Sequence, residues 1–214
     1  MKIVILLGAP GSGKGTVAAR LVAADGALCH VSSGHLLRDA VKRRTPAGIE
    51  ADEFMKRGEL VPDAVIARMI GDLLLGMEGS RTLLLDGFPR TVPQARLLDE
   101  MIAQCGAGLS CVVMLDVPDE VLVERITGRR VCPKCGAGYH VANVPPRQAG
   151  VCDGCGTGLV VRKDDNLATV QNRLAVYREL TVPLIEFYEA RGVLRRTAGT
   201  GAIDGIVERV KSAL

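Results

Sequence analysis

The feature that most constrains the fold is an apolar run followed at once by a glycine-rich loop. Lys2–Leu7 is almost wholly apolar, and residues 8–16 then read Gly-Ala-Pro-Gly-Ser-Gly-Lys-Gly-Thr. Such a run is typical of a strand buried on both faces of a parallel sheet. Glycines let a loop wrap around a phosphate, and the following helix turns its positive end to the same anion. The pattern predicts strand, phosphate-binding loop and helix, with Lys14 holding phosphate oxygens.

Strands and helices alternate along most of the remaining chain. Three further apolar runs predict strands, at 82–85, 110–117 and 193–197. Three prolines stand where predicted helices begin, at Pro62, Pro93 and Pro118. A long helical pattern over 167–191 contains Pro183, which should kink or divide it. This alternation predicts an α/β fold with a central parallel sheet flanked by helices.

Residues 129–165 interrupt the alternation, because Cys, Gly, Pro and Val replace helical periodicity there. The segment contains two Cys-x-x-Cys pairs, formed by Cys132, Cys135, Cys152 and Cys155. Two such pairs at this separation can give four thiolates to one tetrahedral zinc ion. So short a segment buries little apolar surface, and zinc would supply its folding energy. We therefore predict an inserted small domain with structural zinc.

Composition excludes several classes of protein. The 214 residues are 48% hydrophobic, so a sizeable core is expected. A net charge of +3, an aromatic content of 3% and the lack of Trp disfavour a general nucleic-acid binder. No signal peptide or membrane-spanning run is visible. Seven cysteines in such a chain indicate free thiols or metal ligands, and we expect a cytoplasmic protein without membrane or nucleic-acid partners.

Two motifs carry a resemblance to a known family. The loop Gly-x-Pro-Gly-x-Gly-Lys-Gly-Thr, with Gly15 where other phosphate loops carry Ser or Thr, resembles that of the adenylate kinases. The octet Leu-Leu-Leu-Asp-Gly-Phe-Pro-Arg, residues 83–90, resembles the family's AMP-side signature. The paired cysteines resemble the zinc-binding lid of its long-lid members. The similarity covers most of the chain.

The resemblance implies a five-stranded parallel sheet with two mobile inserts. The core would comprise 1–31, 62–128 and 166–214, the AMP-binding insert 32–61, and the zinc-ribbon-like lid 129–165. The implied reaction is reversible transfer of a phosphoryl group from Mg-ATP to AMP, giving two ADP, in a monomer. Mg²⁺ would accompany ATP, and the structural metal would be Zn²⁺.

The resemblance also implies roles for individual residues. The ATP site would contain Gly11, Ser12, Gly13, Lys14, Gly15, Thr16, Arg125, Arg129, Tyr139 and Gly201. The AMP site would contain Ser33, Arg38, Leu60, Val61, Gly87, Phe88, Arg90, Gln94, Arg162 and Arg173. The catalytic set would be Lys14, Asp86, Arg90, Arg129, Arg162 and Arg173. These cations suit phosphoryl transfer, which needs positioned positive charge more than a covalent nucleophile.

The chain departs from the family at His35, where an Asp is usual. The imidazole could tune AMP affinity with pH, or simply cap and pack a helix. Asp164 and Asp165 could latch the lid through arginines or end a turn.

Two alternatives to this function remain open. One is a related nucleoside monophosphate kinase with another acceptor, or with GTP as donor; Gln94 favours AMP. The other is a nucleic-acid-binding protein with a zinc ribbon, which the composition and the 86–90 segment oppose.

Overall fold

The apolar run Lys2–Leu7 forms β1, the middle strand of a five-stranded sheet. The computed structural model describes residues 1–77, 81–162 and 164–214. The other strands of the sheet are β2 (Leu28–Ser32), β3 (Thr82–Asp86), β4 (Gly108–Asp116) and β7 (Leu194–Ala198). They lie in the order β2-β3-β1-β4-β7, and every neighbouring pair is parallel. The predicted fold class is confirmed.

Alternate residues of β1 build the two halves of the core. Ile3 and Ile5 face one cluster, which contains buried side chains from β3 and β4 and from the helices on that side. Val4 and Leu6 face the opposite cluster. Each fully buried aliphatic side chain contributes about 1.5–3 kcal/mol, so the doubly covered sheet is the rigid platform for the loops at its edge.

The helices cover both faces of the sheet. Their bounds are α1 (Lys14–Ala24), α2 (Ser33–Lys42), α3 (Pro46–Arg57), α4 (Asp63–Leu75), α5 (Val92–Gln104), α6 (Asp119–Thr127), α7 (Leu167–Val176), α8 (Pro183–Glu189) and α9 (Ile203–Ser212). The clusters show that α1 and α9 pack on one face, and α2, α4, α5 and α8 on the other. No helix in the described ranges is long and apolar enough to cross a membrane.

Proline marks helix boundaries in two ways. Pro62 was expected as the first residue of a helix, but it lies one position earlier, as the N-cap of α4. Pro183 divides the long pattern as predicted, since a π-helical turn at Tyr177–Thr181 separates α7 from α8. Val182 N donates to Tyr177 O there, five residues back, and Pro183 has no N–H to continue the α-helical ladder.

The strand β2 has no counterpart among the runs identified by periodicity. It lies at the sheet edge beside β3, and Val31 is its only buried residue. Its polar residues, His30 and Ser32, obscure the apolar signal that marks a central strand.

Residues 129–165, here named the cysteine-rich segment, form a small separate layer. A two-stranded antiparallel sheet of β5 (Arg129–Val131) and β6 (Gly138–His140) opens it. Isolated bridges join Val131 to Val160 and Val151 to Gly158. Within its described residues the helical period is indeed absent.

Candidate functional site

The glycine-rich loop surrounds the start of α1. That helix begins at Lys14, and its N-cap Gly13 has a φ of 95° and provides no side-chain cap. Its first-turn N–H groups therefore remain available to an anion. Two observations show why position 11 requires glycine. Its φ is 85°, and an added Cβ would lie 2.7 Å from Ile126 Cγ1 and 2.9 Å from Leu122 O.

Lys14 reaches back across this loop. Its Nζ donates to Gly8 O at 2.7 Å, to Ala9 O at 3.0 Å and to Ser12 Oγ at 3.2 Å. Burial lowers the pKa of Lys14 to about 8, and the attraction of Asp86 only partly offsets it. The ammonium thus lies in the concave face of the loop, where it can turn from carbonyls to phosphate oxygens.

Asp86 lies beside the loop because β3 pairs with β1, with Asp86 opposite Leu6. An added Cβ on Gly15 would lie in ordinary van der Waals contact with Asp86 Oδ2, at 3.7 Å, so this turn of the loop runs beside the carboxylate. Burial raises the pKa of Asp86, but the nearby His30 imidazole and the charge of Lys14 outweigh it, and the pKa is lowered overall. An ionised carboxylate and the nearby Thr16 hydroxyl fit Mg²⁺, which keeps waters and takes few protein ligands.

His30 is a site residue that the sequence analysis missed. Its Nε2 lies 3.6 Å from Asp86 Oδ2, since β2 runs beside β3 and pairs Ser32 with Asp86. Because the sequence pattern did not predict strand β2, it could not predict the contact between His30 and Asp86.

Five arginines converge where the cysteine-rich segment meets the sheet edge: Arg38, Arg90, Arg129, Arg162 and Arg173. Burial, followed by repulsion from Arg38 and Arg129, lowers the pKa of Arg162 to about 9. Burial, followed by repulsion from Arg173, lowers the pKa of Arg90 to about 10. The cluster therefore carries more positive charge than its surroundings balance.

Asp164 and Asp165 hold part of this cluster together. Arg129 Nε donates to Asp165 Oδ2 at 2.8 Å, and its Nη2 also bonds that carboxylate. Arg173 Nη1 lies 3.2 Å from Asp164 Oδ2 and 3.4 Å from Asp165 Oδ1. Arg38 Nη1 lies 4.0 Å from Asp164 Oδ2. Both acids therefore pair with arginines, and Asp165 N also closes a turn by donating to Arg162 O. Their role in latching a lid stays a prediction.

Three buried polar atoms in this region have no hydrogen-bond partner among the described residues. They are His30 Nε2, Arg162 Nε and Ser33 Oγ. An unpaired buried donor costs about 1–3 kcal/mol, so such groups indicate a ligand that completes them.

Two adjoining cavities contain these groups. The larger, of about 800 Å³, is lined by all ten residues expected for ATP. The smaller, of about 60 Å³, is lined by Ser33, Val61 and Gln94. Both are lined by Arg38, Leu60, Gly87, Arg90 and Arg173. Phe88 lines neither cavity; it is 1% exposed and packs in the core, so its expected place in the AMP site gains no support from the packing.

Gln94 lies in the smaller cavity with both ends of its amide engaged. Its Nε2 donates to Asp63 Oδ1 at 2.7 Å, and its Oε1 accepts from Arg90 N at 2.8 Å. Asp63 is therefore a second residue that sequence reasoning did not find, and no motif marked it. The pair links the cavity wall to the backbone of Arg90.

The four predicted metal ligands form a single cluster. Their sulfurs all lie within 4.8 Å of one another, with Cys132 to Cys155 at 3.4 Å and Cys135 to Cys152 at 3.5 Å. A tetrahedral ion with Zn–S bonds of about 2.3 Å holds its sulfurs roughly 3.8 Å apart. The cluster fits zinc.

The surroundings of the sulfurs support the same conclusion. Both knuckles form the same turn, in which the Gly136 and Gly156 N–H groups donate to the Cys132 and Cys152 carbonyls. A hydrogen bond from the Tyr139 hydroxyl is the main cause that lowers the pKa of Cys152 to about 6. His140 is not a ligand, because its Nδ1 accepts from the N–H groups of residues 142 and 143.

The remaining cysteines lie outside the cluster. Cys111 is fully buried, whereas Cys29 and Cys105 are only half-buried.

Metal content tests the cluster directly. Zinc-supplemented protein should contain about one zinc per chain by mass spectrometry, because four thiolates complete a tetrahedral shell. Cys152→Ser should bind far less, whereas Cys111→Ser, which removes a buried thiol from the core, should keep its zinc. Equal zinc loss from both variants would contradict the assignment.

Comparisons with known proteins agree with this geometry. The family model described as "Adenylate kinase" matches residues 6–193. The chain is similar to the adenylate kinase of Carboxydothermus hydrogenoformans, 46% identical over 214 residues that cover 100% of this chain and 99% of the relative. It is also similar to those of Syntrophobacter fumaroxidans, 46% identical over 99% of both chains, and of Moorella thermoacetica, 46% identical over 98% and 96% respectively. The chain therefore belongs to the adenylate kinase family.

Proposed function

We propose that this chain, an ATP:AMP phosphotransferase by family, binds Mg-ATP in the larger cavity and AMP in the smaller one. An AMP phosphate oxygen attacks the γ-phosphorus of ATP, and the bond from that phosphorus to the β–γ bridging oxygen breaks, leaving two ADP. The observation that carries this proposal is the group of partly buried arginines that line both cavities, with Arg162 Nε unpaired beside them.

On the donor side, the loop and the first turn of α1 would hold the phosphates through N–H groups. Lys14 would exchange its carbonyl partners for the β- and γ-phosphates. Asp86 and Thr16 would hold Mg²⁺ through water, and the ion would neutralise charge on the transferring group. Arg125, Tyr139 and Gly201 would line the rest of the donor site.

On the acceptor side, Arg38 and Arg90 would bind the AMP phosphate, and Ser33 Oγ would find its missing partner there. Leu60 and Val61 would lie along the base. Gln94, oriented by Asp63, would read the base edge once one of its present bonds yields.

The transferring phosphoryl group would lie among Arg129, Arg162 and Arg173. Charge builds on its equatorial oxygens in the transition state, and guanidinium groups preorganised there stabilise it without reorganising. We propose that residues 129–165 act as a lid and 32–61 as an AMP-binding insert, so that closure excludes water that would otherwise hydrolyse ATP. A monomer in the cytoplasm belongs to the same proposal.

ADP formation from Mg-ATP with AMP, GMP, CMP or UMP as separate acceptors tests the reaction. We expect turnover with AMP and little with the others. Gln94→Leu should raise the KM for AMP about tenfold, the scale of one or two lost hydrogen bonds, and leave the KM for ATP unchanged. Gln104→Leu, an exposed residue of the same helix, is the matched control. Transfer to a different acceptor would overturn the substrate assignment.

The lowered pKa of Lys14 predicts a pH profile. In the free enzyme Lys14 loses its proton above about pH 8, and only the charged form attracts phosphate, so kcat/KM for ATP should fall as pH rises through this value. Bound phosphates favour the charged form, so kcat should decline at higher pH. A kcat/KM that stays level to about pH 9.5 would show that Lys14 keeps its proton without substrate.

A further inference from the structure

Helix α2 touches the first cysteine knuckle across the mouth of the larger cavity. Lys42 Nζ, at the last residue of the helix, donates to Pro133 O at 3.2 Å. His35, in the first turn, packs against Gly136: an added Cβ there would lie 2.7 Å from His35 Cε1. We name these four residues the knuckle contact.

The contact joins the two sides of the cleft. The same helix carries Ser33 and Arg38, which line the smaller cavity. The same small layer carries Arg129 and Tyr139, which line the larger cavity. Lys42 and Pro133 are 91 positions apart in sequence, so their contact depends on how these two parts of the chain pack together.

Local chemistry suits a contact that forms and breaks. Lys42 and His35 are exposed side chains at the rim rather than core residues, so their loss leaves the two clusters that stabilise the sheet intact. Gly136 has a φ of 77° and no side chain, which lets the imidazole approach its backbone closely. The His35 side chain does not cap α2. The cap is Ser32, whose Oγ accepts a hydrogen bond from the backbone N–H of His35.

We propose that the knuckle contact couples the two nucleotide sites, so that ATP bound on the cysteine-rich side raises the affinity for AMP on the α2 side. This inference rests on the proposed function. The contact requires the two sides to lie close together. A nucleotide that stabilises this closed arrangement therefore lowers the free-energy cost of closure for the second nucleotide. His35 and Lys42 are thus positioning residues, acting through the closed state rather than on the substrate.

Calorimetry of AMP binding to the zinc-loaded, Mg²⁺-containing protein measures the coupling, with and without saturating β,γ-methylene ATP. The ratio of the two dissociation constants is the coupling factor. Lys42→Met should lower this factor about threefold, the scale of an exposed charged contact, with AMP affinity in the absence of the ATP analogue unchanged. Lys42→Arg, which keeps a donor, should retain most of the factor.

Lys56→Met is the matched control, because Lys56 is an exposed lysine of the neighbouring helix whose amine pairs with Asp52 and Glu53. It should leave the coupling factor unchanged. An equal loss in Lys56→Met and Lys42→Met would assign the effect to surface charge and overturn the proposal.

A double-mutant cycle tests the His35 half of the contact. Gly136→Ala should lower the coupling factor, since its methyl group meets the imidazole. In a His35→Ala background, Gly136→Ala should lower the coupling factor less, because no imidazole occupies the space that the methyl group enters. Backbone strain at residue 136 is common to both backgrounds and cancels in the cycle.

Three results would overturn the inference: an unchanged factor in Lys42→Met, equal costs of Gly136→Ala in both backgrounds, or an AMP affinity that falls equally with and without the ATP analogue. The last would mean that the contact only supports the AMP site. The proposed function fails separately, since it requires the unmodified chain to form ADP from ATP and AMP.

Discussion

The site depends on two carboxylates, the half-buried Asp164 and the buried Asp165, that hold arginines from distant parts of the chain. Asp165 is fully buried and pairs with Arg129 and Arg173, while Asp164 pairs with Arg173 and lies near Arg38. Two like charges about 4 Å apart repel by about 4 kcal/mol at an effective dielectric constant of about 20. Without these acids the guanidinium groups would separate, and the two cavities would lose their common wall.

The acids do not neutralise the cluster. Among the described residues, the carboxylates that attract this group of six cations most strongly are Asp86, Asp164 and Asp165, and burial lowers the pKa of Lys14, Arg90 and Arg162. The excess positive charge destabilises the empty site, and bound phosphate groups neutralise it. Most of this binding energy is therefore gained when both nucleotides are bound, and transfer to the acceptor rather than hydrolysis requires both to be bound.

Much of this arrangement could be predicted from sequence because it depends on local patterns. The apolar run before the glycine-rich loop predicted a buried central strand, and Asp86 lies beside Lys14 because parallel strands end at one edge. The cysteine spacing predicted the sulfur cluster. Edge strand β2 was not visible in the periodicity, since four of its five residues are only partly buried and two are polar; the fifth strand was expected from family resemblance alone. Contacts between distant elements, such as Gln94 with Asp63 and His35 with Gly136, leave no local pattern at all.

The most direct test of the shared arginine cluster is the single-turnover rate of phosphoryl transfer in Arg162→Lys. Lysine keeps the charge but not the planar fork, and loss of one preorganised donor should lower the rate about a hundredfold. Arg130→Lys is the control, because within the described part of the chain Arg130 bonds only to the carbonyls of Thr127 and Arg129, and it lines neither cavity. A hundredfold loss in Arg162→Lys with a near-normal control would support the account. Equal, small effects in the two variants would contradict it.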